Sequence, residues 1–139
     1  MRKYLTLVVV ITSLLAPTIA TASPSDLTDK QANTGYISMA TLAYAFAAVC
    51  GDDYEPVHGS LKRVQDKLGT PDNIAAATKA ALGLFFDRDD YQRSDLIPEV
   101  TRMVKTVLNP LNVEVGRSKK KFCATYSKIL LKAGLVVAK

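Results

Sequence analysis

Tryptophan is absent from the chain, histidine occurs once and cysteine twice. A zinc site needs three or four nitrogen, sulfur or carboxylate ligands in a convergent set. With His58 alone beside Cys50 and Cys123, the usual structural and catalytic sets are out of reach. A catalytic triad would have to use His58, and its nearness in sequence to Ser60 and Glu55 does not establish a nucleophile and an orienting acid beside it. Between Pro56 and Gly59, His58 reads as an exposed first-turn residue. A glycine-rich phosphate loop, a nucleophile elbow and a Cys-x-x-Cys pair are missing too. These absences leave no catalytic residue, no cofactor and no metal to assign.

Acidic residues are present, but not in a metal-binding pattern. Counted from Asp87, the helix–loop calcium motif would require an oxygen ligand at Tyr91, glycine at Gln92 and glutamate at Pro98, and fails at all three. A solvated loop leading into a helix accounts better for Asp87, Asp89, Asp90, Asp95 and Glu99, since an acid at a helix N-terminus is favoured by the dipole. Glu55 with Asp52 or Asp53 is formally a carboxylate pair for glycoside hydrolysis. Any chain with 13 acids offers such pairs.

The longest apolar run lies at the start. Met1, Arg2 and Lys3 precede an apolar stretch from Tyr4 to Leu15, Pro17 breaks it, and Ala20-Thr21-Ala22 presents small residues to a signal peptidase. The expectation is a secretory signal over 1–22, cleaved after Ala22, a flexible polar tail over 23–33, and one helical domain over 34–139. The short leader and the lack of an Asn-x-Ser/Thr sequon fit the bacterial periplasm or secretion. Cleavage removes two basic residues from a chain of formal net charge +5, leaving an excess too mild for a nucleic-acid module. No transmembrane span is expected in the mature chain.

In an oxidising compartment two cysteines allow one intramolecular pairing, Cys50–Cys123. Closing so long a loop restricts the unfolded chain by roughly 4 kcal/mol.

Periodicity gives an all-α domain of about five helices around a buried central helix at 36–50, stapled by that disulfide. Tyr36 to Cys50 carries no charge. Met39, Ala43, Phe46 and Cys50 form one stripe, while Leu42, Tyr44 and Val49 make the other sides apolar. A second helix is predicted from Pro56 to Leu68, with Lys62 and Asp66 as an i, i+4 pair and Gly69 as its stop. Thr70-Pro71-Asp72 restarts the chain as N-cap, first helical residue and acid. The next helix starts at Ser94 or Ile97-Pro98 and ends or kinks at Asn109-Pro110, with Val113–Val115 an extended link. The last runs from the N-cap Ser118 to Gly134, burying Phe122, Tyr126, Ile129, Leu130 and Ala133.

Two charged groups remain as candidate binding surfaces. Arg117, Lys119, Lys120, Lys121 and Lys128 form a basic patch that Lys132 continues. Asp52, Asp53, Glu55, Asp87, Asp89 and Asp90 form an acidic one. Lysines in the first turn of a helix oppose its dipole by about 0.3–1 kcal/mol each at low salt. A Cys50–Cys123 bridge would bring Asp52, Asp53 and Glu55 towards Lys119–Lys121 and neutralise them internally.

In architecture the plan resembles periplasmic acid-stress chaperones and secreted inhibitor or immunity proteins. The expected function is an exported, non-enzymatic protein that binds another macromolecule, a protein ahead of an anionic lipid surface, with nucleic acid disfavoured. An acid-activated chaperone and a small hydrolase of envelope polymers using surface carboxylates are the alternatives.

Overall fold

The computed structural model describes the backbone from Pro24 to Lys139 and the side chains from Lys30 onward. The expected signal over 1–22 lies outside the described residues. Among them are five α-helices: α1 (Pro24–Cys50), α2 (Ser60–Leu68), α3 (Asp72–Phe85), α4 (Pro98–Arg117) and α5 (Lys119–Lys132). Two three-residue strands, β1 (Tyr54–Pro56) and β2 (Val136–Ala138), complete the order, with a 3-10 turn at Arg93–Asp95. The contacts divide the chain into Met1–Gln31 and the packed unit Ala32–Lys139.

Helix α1 starts at Pro24, where the sequence led to a start near Gly35. Proline suits a first helical position because its missing N–H would have no helical partner there. The polar residues after it contain no glycine or proline until Gly35, so nothing in them interrupts the helix. From Tyr36 to Cys50 only Ala48 is exposed, as a central helix requires. Phe46 and Cys50 pack with Leu108, Leu111, Phe122 and Leu130. Ile37 and Ala40 pack on another side with Ala77, Ala81, Val100 and Val104. The most deeply buried residues, Ile37, Thr41 and Phe46, therefore lie on more than one side of α1, with Met39 and Ala43 only partly buried. Thr41 is tolerated there because its hydroxyl donates to the Ile37 carbonyl at 2.7 Å, sparing the penalty of an unpaired buried hydroxyl.

Helix α2 is shorter than predicted. Gly59 adopts φ 75°, in the left-handed region, and the helix begins only after it. Pro56, the predicted start of that helix, instead ends β1, which pairs with β2 antiparallel, Tyr54 opposite Ala138 and Pro56 opposite Val136. The apolar tail thus packs down, burying Leu135 and Val136. Bonds from Val57 N–H to Leu135 O (2.9 Å) and from Lys139 N–H to Asp53 O (3.0 Å) extend the pairing at both ends.

At α3 the cap is Pro71 in extended conformation, with no side-chain capping bond. Thr70 is buried one residue too early for that role. The buried Gln65 amide makes the turn instead, donating to Thr70 O at 3.2 Å and to Asp72 Oδ1 at 2.7 Å.

Pro110 does not end α4, and Val113–Val115 is helical. Val104, Leu108 and Leu111 are buried on one face, with Val115 packed beside them. That packing continues past a proline that lies on the exposed face, where the carbonyl left without its helical donor can meet water. Ser118 caps α5 as read from the sequence, its Oγ accepting from Lys121 N–H at 3.1 Å.

Candidate interaction surface

Cys50 and Cys123 form the disulfide, joining the C-terminal end of α1 to the second turn of α5 with Cα atoms 5.8 Å apart. It fixes where the basic first turn of α5 sits. A recess of about 490 Å³ opens beside it, lined by both cysteines, Asp52, Asp53, Tyr54, Lys119 and Lys120. The predicted approach of acids to lysines is therefore met by Asp52 and Asp53 alone. Glu55 lies exposed on β1, opposite Val137, and lines no part of that recess. No ion pair closes across it, and the pairs Lys62–Asp66 (2.8 Å) and Arg88–Asp90 (2.7 Å) lie elsewhere among the described residues.

Lys121 turns to a different recess. Where α4 meets α5, a cavity of about 290 Å³ is lined by Glu114, Arg117, Ser118, Lys121, Phe122 and Thr125. Phe122, only 2% exposed, gives it an apolar floor. Tyr126 ties the two helices together, its hydroxyl donating to Glu114 Oε2 at 2.7 Å. That bond to a carboxylate, with partial burial and the carboxylate's charge, pushes the phenol up to about 12.

Helical geometry gathers the remaining cations. Lys121, Thr125, Lys128 and Lys132 follow at spacings of four, three and four, and all are exposed. They make one solvent-facing row on the side of α5 away from Leu130, and Lys121 and Thr125 also edge the recess over Phe122. Ile129 and Leu131 flank it, 46% and 43% exposed, so Ile129 is not in the core as its place in the predicted stripe implied. From Arg117 to Lys139 the chain holds seven basic residues and no acidic one.

The acidic residues do not form a single patch. Asp52 and Asp53 lie between α1 and β1, and Glu55 lies on β1. Asp89 and Asp90 line a separate recess of about 480 Å³ with Lys79, Tyr91 and Asp95. Arg88 chelates Asp90 with Nε at 3.0 Å and Nη2 at 2.7 Å, and its guanidinium lies 5.3 Å from the Tyr44 ring centre. Asp87 belongs to the end of α3, with φ 53°. Among the described residues no three His, Cys, Asp or Glu side chains converge as a metal site would require, and no helix is long and apolar enough to cross a membrane. His58 is exposed in the turn before α2.

The sequence reading missed Glu114 and Tyr126 as a pair. Val104, Leu108, Leu111 and Val115, at spacings of four, three and four, held the signal that carries α4 through Pro110 and places Glu114 beside α5. No family model, no curated protein and no solved structure matches this chain.

Proposed function

We propose that this is an exported, non-enzymatic protein that binds an acidic surface of a protein partner through α5. The observation that carries it is the row Lys121, Lys128 and Lys132 in a stretch with no acid of its own, where none of the three is held in an ion pair. Exposed cations with no partner raise association rates and select partners by complementary charge. Ile129 and Leu131 beside the row offer the apolar contact that charge alone does not supply. Export follows from the leader-like residues 1–22 and agrees with a cysteine pair joined as a disulfide.

The test is affinity capture from an envelope extract, using wild type and a variant carrying Lys121→Glu, Lys128→Glu and Lys132→Glu. The captured protein is then purified and titrated against both. The expected result is a stoichiometric complex with an acidic protein that salt weakens and the triple variant loses. A partner held equally by the variant, or no stoichiometric partner, overturns the proposal.

A further inference from the structure

The α4–α5 recess deepens the function proposed above and rests on it. Glu114 shares this recess with Arg117 and Lys121, and a carboxylate placed there would ordinarily neutralise one of them. It pairs with neither. Its Oε2 is engaged by the Tyr126 hydroxyl at 2.7 Å instead, a bond that bridges α4 and α5. Both cations are exposed and stand in no ion pair. Ser118 is occupied as well, since its Oγ caps α5. What remains open is an apolar floor, Phe122, beneath two unpaired cations.

We propose that Tyr126 holds Glu114 off Arg117 and Lys121, so that the recess receives the side-chain carboxylate of an acidic segment of the partner protein. The incoming carboxylate meets the two cations, and its methylene groups lie on Phe122. The cavity, about 290 Å³, is near the lower limit for a ligand pocket and suits one side chain rather than a folded element. Because the phenol stays protonated well above neutral pH, Tyr126 remains a donor to Glu114 at neutral pH. Tyr126 and Glu114 are positioning residues here; Arg117 and Lys121 make the contact.

The probe is a short N-acetylated glutamate–alanine peptide, titrated by fluorescence anisotropy at low ionic strength. Glu114→Gln removes the competing charge while its amide oxygen still accepts from Tyr126, and binding tightens about threefold. Tyr126→Phe releases Glu114 onto Arg117 or Lys121, and binding weakens about threefold. The double variant has no charge to release, and binds as tightly as Glu114→Gln alone. A purely structural role for Tyr126 would leave the double variant about threefold weaker than Glu114→Gln, close to the wild type. Lys128→Glu, outside the recess, weakens binding through the wider surface. Thermal melts followed by circular dichroism establish that each variant is folded. If Lys128→Glu weakens binding but Tyr126→Phe or Glu114→Gln does not shift it as stated, the recess proposal falls and the basic surface stands. If the wild type does not bind the peptide, or Lys128→Glu leaves binding unchanged, both fall.

Discussion

Asp87 is the one non-glycine among the described residues with positive φ, 53°. It follows the cap of α3, and Arg88 N–H closes back on Gly83 O at 2.8 Å, a helix end that glycine usually occupies. Aspartate tolerates this left-handed conformation better than most residues but still bears part of its steric cost. Asp87→Gly is therefore expected to raise stability by about 0.5–1 kcal/mol, and Asp87→Val to lower it, measured as thermal midpoints. Tyr126 gives a second prediction at this scale. Its folded value, near 12, lies above the ordinary tyrosine value of 10.0, so the protonated phenol is the stabilising form. That contribution is complete below pH 10 and is lost as pH rises towards 12. Ultraviolet titration should show late-ionising tyrosine that is reduced in Tyr126→Phe, the part that survives belonging to Tyr36, whose phenol burial also raises. A late component undiminished in Tyr126→Phe would contradict the assignment.

The elements that join the two ends of the fold do so twice. Cys50–Cys123 links α1 to α5, and the β1–β2 ladder links the segments that follow them. Residues 53–57 meet 135–139 through backbone bonds that do not depend on the disulfide. Replacing both cysteines by alanine should lower stability by roughly 2–4 kcal/mol in urea unfolding while leaving the helical circular dichroism of the native state unchanged. Loss of that helical signal without denaturant would show that the ladder cannot hold the ends alone. At this scale the sequence was legible where periodicity and capping agree. The uncharged run Tyr36–Cys50 identified the central helix, Gly69 and Gly134 marked helix ends, and Ser118 marked a start. It was misleading where a local breaker met tertiary burial. Pro110 lies inside α4 because Leu108 and Leu111 pack on the opposite side. Strands β1 and β2 were invisible because three-residue strands have no period to detect, and their pairing partners lie at opposite ends of the domain. The candidate site divided the same way. Its lysines stood out as a run, whereas Glu114–Tyr126 depends on how α4 and α5 meet.

For the whole molecule, the defining property is how charge is apportioned along the chain. All 13 acids precede Arg117, and the final stretch is basic without exception. The fold does not cancel this separation. Asp52 and Asp53 come to the side of Lys119 and Lys120, while Lys121, Lys128 and Lys132 face solvent on another part of α5. A modest overall charge therefore conceals a strongly basic face, and net charge alone understates what the protein can attract. The most direct measurement is chemical-shift mapping by nuclear magnetic resonance, with the acidic peptide titrated into isotope-labelled protein. Shifts concentrated from Glu114 to Lys132, and diminishing as salt is added, are the predicted result. Shifts centred on Asp87–Asp95 or spread evenly over the surface would contradict α5 as the binding face.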